Sequence, residues 1–325
     1  MLGKDNSSLN DRNHFLVSDK IKQLLKAIQE GDQRALARAI TVVENELNGY
    51  EEILLGLKYV PGLKVVGITG PPGAGKSTLV NELLRFWVKQ GKKVGVVAVD
   101  PSSPFNYGAL LGDRIRMSEF YNHPNVFIRS LASRGALGGL SAKIVEITDV
   151  MKSAPFDYIL VETVGVGQSE VEIAGLADCT VVALVPEAGD EVQTLKAGLM
   201  EIADVFVVNK ADRELAESLY RNLRILVHEK ADGGEEVLVV KTIATSGTGI
   251  EILSKSIETR LLNSGKSDKA IHLLTEKSWQ LIQARRMRDL SKTKLAEQLK
   301  EASAKPGFNL YAFLKRFFPI SVTNE

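Results

Sequence analysis

The chain has very little cysteine, since Cys179 is the single one among its 325 residues. One cysteine cannot form a disulfide within the chain, so a disulfide-stapled fold is excluded and a reducing compartment is expected. Cys179 lies in the apolar stretch "DCTVVALV", where a cysteine behaves as a small buried hydrophobic residue. We therefore expect a fold that is stabilised by its apolar core.

The sequence also lacks an excess of charge of one sign and a long hydrophobic run. Its 41 Lys and Arg residues against 40 Asp and Glu residues leave a formal net charge of +1, so no global basic field favours a nucleic-acid partner. No apolar run reaches the ~20 residues that span a bilayer, and the polar N-terminus lacks the apolar core of a signal peptide. We expect no nucleic-acid partner, no membrane partner and a cytoplasmic location.

Hydrophobic periodicity divides the chain into four parts. Residues 1–18 are expected to form a disordered tail, because this stretch is short, polar and uncapped. Apolar positions recur at helical spacing within 19–58, which predicts N-terminal helices separated by a Gly-Asp pair. Residues 59–265 have the pattern of an α/β domain, and 266–325 are predicted to form a C-terminal helical extension.

The α/β part contains seven apolar, β-branched runs that alternate with amphipathic helical stretches. Near-continuous apolar strands of this kind predict a doubly wound, mostly parallel sheet that is covered by helices on both faces. Ligands of such sheets bind at the carboxyl ends of the strands. The predicted strands cover residues 64–69, 93–99, 125–130, 158–163, 180–185, 204–209 and 236–242.

A phosphate-binding loop follows the first predicted strand. The stretch "GPPGAGKS" matches the pattern G-x-x-x-x-G-K-[ST] and stands between a strand and a helix. Its glycines allow backbone N–H groups to converge on phosphate oxygens, and the helix N-terminus adds positive potential. Lys76 is predicted to reach the β- and γ-phosphates, and the Ser77 hydroxyl to ligate Mg²⁺. The expected nucleotide-binding residues here are Gly70, Pro71, Pro72, Gly73, Ala74, Gly75, Lys76, Ser77 and Thr78.

A second motif predicts which base is bound. Asn209-Lys210-x-Asp212 follows the sixth predicted strand, and an aspartate there can accept hydrogen bonds from N1–H and the 2-amino group of guanine. Adenine offers no such donor pair and would leave the carboxylate unpaired, at a cost of ~1–3 kcal/mol. Lys210 would lie along the base, and Asn209 would brace the loops. The stretch "ATSGTG", which contains Ser246 and Gly247, is a weaker candidate for a contact with guanine O6.

Carboxylates near strand ends are candidate Mg²⁺ ligands. Glu162 ends the fourth predicted strand, and Gly165 follows it in the arrangement of the Asp-x-x-Gly that most GTPases carry. The glycine N–H would sense the γ-phosphate. Mg²⁺ prefers oxygen ligands and keeps several waters, so outer-sphere carboxylates suit it. Asp100 and Asp113 are further candidates, and each of the three acids has a structural alternative as a cap or an ion pair.

The residue after Gly165 argues for slow hydrolysis. Val166 stands where a water-orienting glutamine would indicate an autonomous GTPase, and Gln168 lies two residues further on. We therefore expect slow intrinsic GTP hydrolysis that a partner accelerates.

Four long stretches resemble the MeaB/ArgK family of G3E P-loop GTPases, to which the human methylmalonic aciduria type A protein belongs. They are "VDPSSPF…LLGDRIRM", "HPNVFIRSLASRGALGGLS", "DYILVETVGVGQSE" and "VPEAGDEVQTLKAGLMEIADVFVVNKAD". The resemblance covers roughly residues 20–260. It implies a GTPase that gates adenosylcobalamin loading of methylmalonyl-CoA mutase, or of a related acyl-CoA mutase, and protects or reactivates that enzyme. It also implies a homodimer built partly through the C-terminal extension.

The resemblance further implies roles for residues that pattern alone would assign to an ordinary loop and helix start. Asp190, Gln193 and Lys196 become candidates for coupling the nucleotide state to the partner. The candidate catalytic set is then Lys76, Asp100, Glu162 and Lys196.

Other functions stay open at this point. A GTPase chaperone that inserts nickel into another metalloenzyme would need Cys and His clusters, whereas the chain has one cysteine and four scattered histidines. A kinase linked to transport would need a base beside an acceptor side chain, and no motif marks one. A nucleotide-gated scaffold would differ from an enzyme in its turnover with and without partners.

Overall fold

The computed structural model describes residues 17–100, 117–132, 143–163, 165, 169–187, 199–230, 237–263, 268–287 and 290–317. The chain divides into two compact units, residues 1–271 and 272–325, and the described strands all belong to the first. The four-part division predicted from the sequence stays a prediction, and most of its disordered tail lies outside the described residues.

The first unit is built on a seven-stranded sheet in which all described strand pairs are parallel. The strands are β1 (Lys64–Thr69), β2 (Val94–Asp100), β3 (Val126–Ala132), β4 (Tyr158–Glu162), β5 (Cys179–Leu184), β6 (Val205–Val208) and β7 (Leu238–Lys241). Their order is β3-β2-β4-β1-β5-β6-β7, so β1 is central and the chain winds outward on both sides of it. This confirms the predicted doubly wound α/β fold and its strands.

Helices cover both faces of the sheet. In the first unit the described helices are α1 (Asp19–Gln29), α2 (Gln33–Glu44), α3 (Tyr50–Leu55), α4 (Lys76–Lys89), α5 (Ile144–Met151), α6 (Ser169–Leu176), α7 (Leu199–Ile202), α8 (Ala216–Lys230) and α9 (Ile250–Asn263). Strand β6 shows why its sequence is continuously apolar. Val205 and Val207 join the core under α4 and α9, whereas Phe206 and Val208 join the core under α8. Both faces are buried, so neither tolerates polar side chains.

The N-terminal helices pack beside the β3 edge of the sheet. Asp32 caps α2, because its Oδ1 accepts hydrogen bonds from the N–H groups of Arg34 at 2.7 Å and Ala35 at 3.1 Å. The first residue of α2, Gln33, donates from Nε2 to the carbonyl oxygens of Pro124 and Val126, each at 3.1 Å. One side chain therefore satisfies two carbonyl groups beside β3, which is the edge of the sheet among the described strands.

The second unit is helical. Helix α10 (Asp268–Arg286) begins before the boundary between the units, and α11 (Lys292–Ser303) and α12 (Leu310–Leu314) follow it. Phe313 is buried and packs with the ring of Phe308 at a centroid distance of 6.2 Å. Within the described ranges, none of the helices is long and apolar enough to cross a membrane.

Candidate nucleotide-binding site

The loop between β1 and α4 lies against the carboxyl ends of β5 and β6. Gly70 has a φ of +136°, and a side chain there would overlap the carbonyl oxygen of Ala183 in β5. Gly75 has a φ of +84°, and a side chain there would overlap the amide of Asn209. Two glycines are therefore required by close approach as well as by backbone conformation.

Lys76, the first residue of α4, is held inside this loop. The residue is only 7% exposed, and its Nζ donates to the carbonyl oxygens of Gly70 at 2.8 Å and Pro71 at 3.0 Å. Gly165 lies directly against it, since a side chain at that position would overlap both the Gly70 carbonyl oxygen and the Lys76 ammonium. The structure thus brings the glycine after β4 to the group that is expected to bind the β- and γ-phosphates.

Ser77, which follows Lys76 in α4, contacts Glu162 at the end of β4. The Ser77 hydroxyl donates to Oε1 of Glu162 at 2.7 Å, and both residues are buried. Glu162 ends β4, and strand register places it opposite Ile68 of β1 and Ala98 of β2. A buried hydroxyl and a carboxylate in contact are hard oxygen donors of the kind that Mg²⁺ prefers, so these residues fit the ion.

The described residues contain no group of three or more His, Cys, Asp or Glu side chains that could hold a metal ion by itself. Asp100 is the last residue of β2, two residues beyond the partner of Glu162, and only its backbone is described. The other predicted residues of this region, Asp113, Asp190, Gln193 and Lys196, lie outside the described residues.

Asn209 connects three loops at the end of the site that the sequence predicts to bind the base. It is buried just after β6, and its Nδ2 donates to the carbonyl of Ala74 at 2.9 Å. Its Oδ1 accepts from the Thr242 hydroxyl at 3.0 Å and from the Ala244 N–H at 3.2 Å. One amide therefore joins the phosphate-binding loop, the end of β6 and the loop after β7. Sequence reasoning missed Thr242, whose only signal is that it is a polar residue at the end of the seventh predicted strand.

The remaining base-binding candidates occupy two neighbouring turns. Lys210 has a φ of +55°, the left-handed conformation that non-glycine residues rarely adopt, and Asp212 is exposed in the same turn. Ser246 ends a short 3₁₀ turn after β7, and Gly247 follows it with a φ of +72°. Asn209 directly precedes the turn that carries Asp212, and it accepts a hydrogen bond from the N–H of Ala244, the first residue of the turn that carries Ser246. Asn209 therefore supports both turns.

A family model described as methylmalonyl-CoA mutase-associated GTPase MeaB matches residues 36–303. The chain belongs to the MeaB family. The match extends from α2 to α11, so it includes the helices on either side of the nucleotide-binding fold. This confirms the resemblance inferred from the sequence motifs.

Similar proteins include archaeal, bacterial and mammalian ones. A Pyrococcus abyssi protein described as a GTPase is 49% identical over 243 residues, which are 73% of this chain and 75% of that protein. The mitochondrial methylmalonic aciduria type A homolog of Mus musculus is 38% identical over 218 residues, 61% of this chain and 52% of that protein. A crystal structure of LAO/AO transport system kinase is similar in fold, with a TM-score of 0.65, 24% identity and coverage of 93% of this chain and 97% of that one.

Membership of the MeaB family settles the nucleotide and the reaction class. The chain is a P-loop GTPase that binds GTP and GDP and hydrolyses GTP. The phosphate-binding loop and the Asn-Lys-x-Asp motif predicted both the guanine nucleotide and its hydrolysis.

Proposed function

We propose that this MeaB-family GTPase is a chaperone of an adenosylcobalamin-dependent acyl-CoA mutase, either methylmalonyl-CoA mutase or a close relative. It would gate loading of the cofactor and protect or reactivate the mutase. The observation that carries this proposal is the family match over residues 36–303, because it includes helices that a generic GTPase fold does not need. The name of the Mus musculus relative, a methylmalonic aciduria type A homolog, supports the same partner.

The described residues support a separate role in hydrolysis for each of several side chains and for one backbone N–H. Lys76 would exchange its two loop carbonyls for oxygens of the β- and γ-phosphates, whose negative charge favours the ammonium. Ser77 and Glu162 would hold Mg²⁺, which neutralises phosphate charge when it is bound. The N–H of Gly165 would report the presence of the γ-phosphate. Asp100, Asp113 and Lys196 stay proposed members of the site.

The switch sequence favours a slow reaction in the absence of a partner. Val166 follows Gly165, so the position of a water-orienting glutamine is taken by an apolar residue. A slow GTPase acts as a timer when its partner binds the triphosphate and diphosphate forms differently. We propose that Asp190, Gln193 and Lys196 transmit this difference to the mutase.

We also propose a homodimer formed through the second unit. Helix α10 exposes large apolar side chains in succession, with Trp279 58%, Leu281 50% and Ile282 47% exposed. Apolar surface of this kind on one helix is typical of a contact with another chain.

A cytoplasmic location stays a prediction.

The decisive experiment is GTP turnover titrated with a purified adenosylcobalamin-dependent mutase. We expect acceleration by the mutase, and we expect GTP but not GDP to alter cofactor release from it. Linkage requires that the mutase change GTP affinity by the factor by which GTP changes mutase affinity. Unchanged turnover, with binding confirmed by light scattering, would contradict the proposal and return the nickel-chaperone, kinase and scaffold alternatives to consideration.

A further inference from the structure

The turn that carries Asp212 is anchored on both sides. Toward β7, the N–H of Ala211 donates to the carbonyl of Thr242 at 3.0 Å. Toward β5, Arg213 forms an ion pair with Glu187 through Nη1 and Oε1. Ala211 and Arg213 are the two residues that flank Asp212, so each neighbour of the base-binding carboxylate is fixed to a different strand end.

The ion pair is possible because β5 and β6 are adjacent. Leu184 pairs with Val208 at the ends of these strands, and the N–H of Asn209 donates to the Leu184 carbonyl at 2.8 Å. Glu187 follows β5 by three residues, and Arg213 follows β6 by five. Each chain therefore leaves the sheet beside the other, and a long arginine side chain spans the gap.

The turn needs such anchors because its backbone is strained. Lys210 adopts a φ of +55°, and its carbonyl accepts a hydrogen bond from the Arg213 N–H at 3.0 Å, which closes the turn. A non-glycine residue persists in this conformation only when its surroundings hold it there. Loss of one anchor would let the peptides on either side of Asp212 rotate.

We propose that Arg213 is a positioning residue for guanine recognition, acting through Glu187 on the orientation of Asp212. The inference rests on the prediction that Asp212 accepts hydrogen bonds from guanine N1–H and the 2-amino group. Such a bidentate contact is sensitive to rotation of the carboxylate, because both acceptor oxygens must stay aligned with both donors. Arg213 would then contribute to base specificity without touching the base.

The size of the effect follows from the exposure of the pair. The side chains of Arg213 and Glu187 are 45% and 49% exposed, and ion pairs with this much solvent contact are weak. We therefore expect loss of the ion pair to lower the preference for GDP over IDP by about three- to fivefold, while the protein still binds both nucleotides. Salt at 1 M should shrink the same preference in the unmodified protein, because it screens exposed ion pairs.

The test compares GDP with IDP by calorimetry, because hypoxanthine lacks the 2-amino group but keeps N1–H. Arg213→Ala should lower the ratio of GDP to IDP affinity by about three- to fivefold, mainly through weaker GDP binding. The charge-exchanged double variant E187R/R213E should restore the ratio. Arg221→Ala is the matched control, since Arg221 pairs with Glu217 within α8 and should leave the ratio unchanged.

The outcomes distinguish a positioning role of Arg213 from the binding of guanine by Asp212. If Asp212→Ala lowers the ratio and Arg213→Ala does not, Asp212 binds guanine but Arg213 has no positioning role. If Arg213→Ala lowers the ratio and the double variant does not restore it, Arg213 does not act through its ion pair with Glu187. A ratio close to one in the unmodified protein would overturn the role of Asp212 in binding the 2-amino group, and with it the proposal for Arg213.

Discussion

Asn209 donates a hydrogen bond from its side chain to the carbonyl of Ala74 at 2.9 Å, across 135 residues of sequence. This single contact joins the base-binding motif to the phosphate-binding loop. The two predicted parts of the nucleotide site are therefore connected through the protein itself. Removal of the amide should affect stability and nucleotide binding together.

We expect Asn209→Ala to lower the free energy of unfolding by about 1–3 kcal/mol, because it leaves buried hydrogen-bonding groups without a partner. GDP and GTP should bind more weakly in the same variant. Chemical denaturation with and without GDP measures both effects. Thr242→Val is the milder control, since it removes only one of the three side-chain hydrogen bonds of Asn209. A fully stable Asn209→Ala protein with unchanged GDP affinity would contradict the prediction.

Guanine specificity should depend on Asp212. We expect GDP and GTP to bind at least about tenfold tighter than ADP and ATP, a difference of ~1.4 kcal/mol or more. Asp212→Asn should weaken guanine nucleotides and improve xanthine nucleotides, because an amide can donate to the 2-oxo group of xanthine. Calorimetric titrations with guanine, adenine and xanthine nucleotides decide the point. Equal affinity for ATP and GTP would show that this motif does not read the base.

Lys76→Ala should reduce GTP turnover by a factor of about 10² or more, because it removes a preorganised charge from the transferring phosphoryl group. GTP affinity should fall further than GDP affinity, since the ammonium is expected to contact both the β- and γ-phosphates. Lys89→Ala provides the control, as Lys89 is exposed in the last turn of the same helix. Turnover that survives in the Lys76 variant would remove this lysine from the hydrolytic site.

Dimer formation should require the C-terminal helices. Light scattering on a chain that ends at residue 265 should report a monomer, and Trp279→Asp in the full chain should weaken self-association. Ile252 is a comparable exposed apolar residue in α9, so Ile252→Asp tests whether any such charge has the same effect. A dimer that persists in the shortened chain would place the interface in the first unit.

Cys179 should be unreactive in the folded protein. Its burial in β5, together with the nearby charge of Asp204, raises the pKa of the thiol well above its ordinary value. A raised pKa means that the thiol stays protonated as the pH rises through about 8.5, where a free cysteine begins to form thiolate. Labelling with a thiol-specific disulfide reagent at pH 7–9 should be slow, and unfolding in urea should release one reactive equivalent. Rapid labelling at pH 8 without urea would contradict the burial of this side chain.

Local patterns in the sequence predicted the fold and the parts of the site that lie in short contiguous stretches. The seven strands were visible because a sheet buried on both faces requires unbroken apolar runs, as β6 shows with Val205 and Phe206 on opposite sides. The phosphate-binding loop was equally visible, since its backbone conformation needs glycines at fixed spacing directly before Lys76. These signals depend on neighbours in sequence and need no knowledge of strand order.

Tertiary structure alone decided which strand ends become neighbours. Ser77 meets Glu162 across 85 residues because β4 lies beside β1, and Asn209 meets Thr242 because β7 lies beside β6. Arg213 reaches Glu187 for the same reason, although no spacing in the sequence marks the pair. Strand order follows from how the helices pack on the whole sheet, which is a sum over many distant contacts. A side-chain pair across two strand ends therefore becomes visible only once the sheet is assembled.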